Sequence, residues 1–121
     1  MVNFRVWDNQ AKCYEHDREF VIGSNGELIE LVPDHKGKWK WYSADTDRFV
    51  VEYGTGLEDF SGEQIYQNDI VDFMGFVLEV VWDKEKACFD LELDGIRNMF
   101  NFNKSSACDM QVIKTIHEEK R

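Results

Sequence analysis

No run in the 121-residue chain approaches the roughly 18 consecutive apolar residues of a membrane-crossing helix. The opening Met1-Val2-Asn3-Phe4-Arg5 also lacks the basic-then-apolar order of an export signal. Cysteine is scarce: Cys13, Cys88 and Cys108 form no close pair, and three thiols cannot all pair within one chain, so reduced thiols in a cytoplasmic protein are expected. Basic residues are outnumbered, with 14 Lys plus Arg against 24 Asp plus Glu and a net charge of −10. Such a balance argues against sequence-independent attraction to nucleic acid or anionic membranes. What the chain has is apolar and aromatic material, 43% and 14% of its residues, enough to fold as one domain rather than remain a solvated tail.

Period-two alternation dominates, and no convincing amphipathic helix interrupts it. Val2, Phe4 and Val6 oppose Asn3, Arg5 and Trp7, and Phe20 to Val32 reads as a hairpin around Gly23-Ser24-Asn25-Gly26, closed by the single proline, Pro33. Further strands are predicted over Trp39 to Tyr42 and Arg48 to Tyr53, then a glycine-rich loop from Gly54 to Gly62. Strand grammar resumes at Ile70 to Met74, Phe76 to Trp82 and Ala87 to Leu93. A tight Asp94-Gly95 turn leads to a strand over Ile96 to Phe102, and a last strand covers Met110 to Ile116. A short helix is expected around Ser105 to Asp109 or at the tail. The predicted fold is mainly β, with short antiparallel strands and a small SH3-like barrel in the C-terminal half. The chain is read as a single domain, 1–121, with subregions 1–53 and 54–121.

The segment Tyr53-Gly54-Thr55-Gly56-Leu57-Glu58-Asp59-Phe60-Ser61-Gly62-Glu63-Gln64-Ile65-Tyr66-Gln67-Asn68-Asp69-Ile70-Val71 resembles the signature of the YopX family of phage and prophage proteins. That signature runs Thr-Gly-Leu, Asp, Gly, Ile-Tyr, Gly-Asp-Ile-Val. The opening Phe4-Arg5-Val6-Trp7-Asp8 is similar to the family's Phe-Arg-Ala-Trp-Asp start, and Val112-Ile113 with Ile116-His117-Glu118 to its closing strand. Two residues depart from the pattern: Val6 stands for a small residue, and Asn68 for the glycine before Asp69. Asn tolerates a left-handed turn, so the turn survives the exchange. The resemblance implies a mostly β, phage-associated, oligomeric protein in a bacterial host, with no established activity and no catalytic residues to carry over.

No residue pattern supplies an enzyme or a cofactor site. Cys13 and His16 offer two ligands where a structural zinc needs four, and on an extended strand they point to opposite faces. His35 and His117, in charged segments, read as solvated. Gly54-Thr55-Gly56 lacks the lysine and later glycine of a phosphate loop. Two surfaces remain. Trp39 and Trp41 share one strand face, with Lys40 and Tyr42 on the other; the pair reads as core or subunit interface ahead of a base-stacking platform. The segment Glu58 to Asp94 carries eleven acidic and two basic residues, and alternation directs Glu79, Asp90 and Glu92 outward. These observations lead to a non-enzymatic, self-associating interaction module without cofactor or metal. The alternatives are an acidic phosphate mimic occupying a basic, nucleic-acid-binding host protein, and a single-strand binder.

Overall fold

A computed structural model describes residues 4–117. Strand makes up 54% and helix 4%. The strands are β1 (Phe4–Asp8), β2 (Cys13–Tyr14), β3 (Glu19–Ile22), β4 (Leu28–Pro33), β5 (Trp39–Ser43), β6 (Phe49–Glu58), β7 (Gln64–Tyr66), β8 (Asp69–Phe73), β9 (Phe76–Asp83), β10 (Cys88–Glu92) and β11 (Met110–Thr115). One short helix, α1 (Lys104–Ala107), precedes β11; Asn103 caps it through Ser106 N at 2.9 Å. No described helix is long and apolar enough to cross a membrane. The described residues divide into two compact units, 5–51 and Phe4 with 52–117, and β6 runs from one into the other.

The larger unit is a curled antiparallel half-barrel with strand order β10-β9-β8-β11. Its core gathers Ile65, Val71, Leu78, Val80, Leu91, Met110 and Val112, with Ala107 from α1. Ile65, Val71, Leu78 and Val80 are fully buried, each side chain stabilising the fold by about 1.5–3 kcal/mol. On β8 the alternation sorts as expected: Val71 and Phe73 face inward, Ile70 and Asp72 are half-buried. On β9 and β10 it does not, because both faces of this hairpin are covered along its middle. Leu78, Val80 and Leu91 are buried on one face, and Val81, Asp83 and Asp90 on the other. Phe76 and Trp82, on the same face as Leu78 and Val80, lie toward the two ends of β9 and are 45% and 41% exposed.

In the smaller unit β1 pairs with β2, and β3, β4 and β5 form an antiparallel meander. The meander packs one face inward: Leu28 is buried, and the Phe20 ring lies 5.2 Å from that of Phe49. One turn geometry recurs here and in the larger unit. In Asp34-His35-Lys36-Gly37-Lys38, Asp34 Oδ1 accepts from Lys36 N at 2.8 Å and Lys38 N at 2.9 Å. In Asp59-Phe60-Ser61-Gly62-Glu63, Asp59 Oδ1 accepts from Ser61 N at 3.0 Å and Glu63 N at 2.9 Å. Both glycines sit at φ near +80°, +80 at Gly37 and +85 at Gly62, as a hairpin loop with a left-handed closing residue requires.

Two predicted segments differ. Gly54 to Glu58 is not loop but the second half of β6, carried through a register shift between Gly54 and Glu58. Thr55 holds it there, its hydroxyl donating to the Ile65 carbonyl at 2.8 Å and accepting from Leu57 N at 3.1 Å. Ile96 to Phe102 forms no strand; after the Asp94-Gly95 turn only a Leu93–Ile96 bridge remains. The apolar residues that suggested a strand instead send Phe100 against the rings of Phe73 and Phe76, at 5.8 and 5.2 Å. The helix expected near Ser105 to Asp109 is α1, and the tail beyond His117 lies outside the described residues.

Candidate interaction surface

The meander's second face is open. Cross-strand partners point to the same side of a sheet, and the register pairs Trp39 with Pro33, Trp41 with Leu31, Leu31 with Glu19, and Ile29 with Val21. Trp39 and Trp41 therefore share a face with Pro33, Leu31, Ile29 and Val21. On it Trp39 is 58% exposed and Trp41 68%. The two rings belong to no core: every residue of β5 is exposed. Lys40 and Tyr42 lie on the opposite face, as alternation predicts, so the nearest strand cation is turned away from the Trp rings. A base-stacking platform needs aromatic faces and phosphate-neutralising cations on one surface.

The acidic segment behaves differently from its sequence pattern. Asp90, expected to project outward with Glu79 and Glu92, is buried at 6% exposure, and its Oδ1 accepts from Leu91 N at 2.7 Å. Glu79 and Glu92 face each other across β9 and β10, both half-buried. Burial raises the Glu79 pKa, and the neighbouring Glu92 charge raises it further. Arg97 offsets part of this, its Nε donating to Glu92 at 3.0 Å while its guanidinium lies 3.8 Å from Asp83. Much of the remaining negative charge is consumed in turns. Asp83 accepts from Glu85 N and Lys86 N at 3.0 and 3.2 Å, Asp72 from Gly75 N at 3.2 Å, and Asp69 from Tyr66 N at 2.8 Å. Those of Asp83 and Asp72 are short-range Asx-type closures, visible in sequence as Asp placed before a turn, whereas Asp69 closes the turn that precedes it.

Two buried polar networks escaped sequence reasoning. Glu52, fully buried, accepts from Asn68 Nδ2 at 2.8 Å and lies 2.7 Å from His117 Nε2. His117 is thus half-buried and paired, not solvated; its partner is 65 positions away, beyond any local signal. Asn68 sits at φ +72, the left-handed turn its chemistry tolerates. In the smaller unit Asp8 accepts from Arg48 through both carboxylate oxygens, at 3.0 and 2.8 Å, and caps the following turn through Gln10 N and Ala11 N. The Arg48 guanidinium holds the Asp8 carboxyl well below the usual range. An open cleft of about 310 Å³ lined by Asn9, Gln10, Asp45, Asp47 and Arg48 lies alongside, but its one cation is already committed to Asp8. Cys13 is exposed on β2, and among the described residues no three His, Cys, Asp or Glu side chains gather as metal ligands.

Comparison with known proteins places this architecture. Residues 3–121 match the family model described as YopX protein. Among solved structures, the chain is similar to protein EF1440 from Enterococcus faecalis, with 19% identity, a TM-score of 0.65, and 97% of this chain and 94% of that chain covered. It is also similar to protein yopX from Bacillus subtilis, with 18% identity, a TM-score of 0.58, and coverage of 94% and 91%. Likeness at these identities is a likeness of fold. No curated protein matches.

Proposed function

Because the chain belongs to the YopX family, which carries no known catalytic activity, we propose from its surface alone that it works by protein contact, self-associating through the open face of the β3–β5 meander. The observation that carries this reading is the pair Trp39 and Trp41, more than half exposed beside Val21, Leu31 and Pro33 on one sheet face. A soluble domain that leaves two indole rings on one flat face offers a surface that is most stable when covered. At about 150–250 Å² per aromatic side chain, the two rings expose roughly 250 Å² per copy. Even with the flanking aliphatics the total stays under the roughly 1,200 Å² of a standard interface, so the association is weak and concentration-dependent.

Light scattering across a concentration series tests this. The wild-type mass is expected to rise with concentration, and that of a Trp39→Ser, Trp41→Ser variant to stay at one chain. Both positions are exposed, so the variant keeps its fold, which circular dichroism checks. A wild-type mass constant at one chain up to millimolar concentration overturns the proposal.

A further inference from the structure

β5 is an edge as well as an aromatic face. In the meander order β3-β4-β5 it has, among the described residues, a strand neighbour on one side only. The hydrogen bonds that flank it show which backbone groups are spare. Ala44 N donates to the Leu28 carbonyl at 3.0 Å, and Asp34 N to the Lys38 carbonyl at 2.6 Å. Ala44 with Leu28 and Lys38 with Asp34 are therefore hydrogen-bonded pairs. Such pairs alternate with non-bonded ones along an antiparallel ladder. Lys40 and Tyr42 consequently turn their N–H and C=O groups toward β4, whereas Trp39, Trp41 and Ser43 turn theirs to the open edge. Pro33, which has no N–H, sits opposite Trp39 at a position where none is needed.

We infer that β5 pairs antiparallel with β5 of a second copy about a two-fold axis through Trp41, joining two meanders into one continuous sheet. This contact goes beyond the face association proposed above: it joins two edges and leaves the aromatic face open as one larger surface. The register follows from charge and hydrogen bonding together. With Trp41 opposite Trp41 of the second copy, Trp39 falls opposite Ser43, and all three residues exchange N–H and C=O across the join. Lys40 then falls opposite Tyr42 of the second copy on the other face, bringing an ammonium beside an aromatic ring. All four indoles share one surface. Centring the axis on Lys40 sets two ammonium groups directly opposite each other, which is unfavourable, and leaves Ser43 unpaired. Centring it on Tyr42 sets Trp41 against Ser43 and leaves Trp39 unpaired. Lys40 thus acts as a register key on this edge.

Disulfide trapping reads the register directly. In a background with Cys13→Ser, Cys88→Ser and Cys108→Ser, all at exposed positions, one preparation carries Trp39→Cys and another Ser43→Cys; both keep Lys40 and Tyr42. Directly opposed strand positions lie within disulfide reach, whereas diagonal ones exceed it. Mixing the two under mild oxidation is expected to give the Trp39→Cys to Ser43→Cys heterodimer as the main product, with little of either homodimer. A Trp39→Cys homodimer or a Ser43→Cys homodimer as the main product overturns the register. Concentration-dependent mass without any of these cross-links overturns this edge pairing while leaving self-association through the aromatic face standing. A wild-type mass fixed at one chain overturns both.

Discussion

Replacing Asp59 with Asn tests whether the acidic segment is structural. Asp59 is 4% exposed and its two oxygens do different work: Oδ1 accepts from Ser61 N, Ser61 Oγ and Glu63 N at 2.9–3.0 Å, closing its own turn. Oδ2 accepts from Val112 N at 3.0 Å, on β11, 53 positions away. An Asn can keep its Oδ1 in the turn, but its NH₂ then faces the Val112 N–H, donor against donor. A hydrogen bond to a charged group contributes about 1.5–3 kcal/mol, and an orphaned buried donor costs a similar amount, so the expected loss at pH 7 is about 2–3 kcal/mol. With a urea m-value of about 1.5 kcal/mol/M, the midpoint falls by roughly 1.3–2 M. Acid supplies the control. Burial alone would raise the Asp59 pKa, but the bonds from Val112, Glu63 and Ser61 outweigh it and hold it below the ordinary 3.8. The carboxylate's contribution is therefore complete above pH 3.8 and lost as pH falls through the lower folded value. Urea melts followed by circular dichroism should show the wild-type advantage shrinking toward pH 3. A variant within about 0.5 kcal/mol of wild type at pH 7 refutes the argument, since that is the spread of ordinary surface substitutions.

Asn68→Ala should cost more than Asn68→Gly, about 2 against about 1 kcal/mol, because both lose the donor to buried Glu52 but only Ala strains at φ +72; equal thermal midpoints refute this. Glu79→Gln should stabilise by a few tenths of a kcal/mol at pH 7 by relieving its opposition to Glu92. The Glu79 pKa is raised above its ordinary 4.5, so the wild type loses stability as pH rises from there through the folded value. The variant's stability should show less of that decline between pH 4.5 and 7; parallel pH profiles would show that the pair is already solvated.

Local chemistry determined most of the strands and the β class, because strand alternation and Asp-x-x-Gly turns are short-range signals. Glu19–Ile22, Leu28–Pro33, Trp39–Ser43, Asp69–Phe73 and Cys88–Glu92 could all be placed to within a residue or two. The split of Trp39 and Trp41 from Lys40 and Tyr42 was equally legible, being a property of one strand. Alternation says which residues share a face but not whether that face is covered. Asp90 and Trp82 show this on the same hairpin: the carboxylate is buried and the indole exposed, opposite to what residue type suggests. Gly54 to Glu58 reads as loop because its pairing with β7 needs a register shift that no local pattern encodes. The Glu52–Asn68–His117 network and the Asp59–Val112 bond join residues 16 to 65 positions apart. The sequence by itself determined where the chain extends and turns, since those choices depend on neighbours a few residues away. Only the tertiary structure decided which faces are covered and which carboxylates are buried, since those depend on what the rest of the chain brings against them.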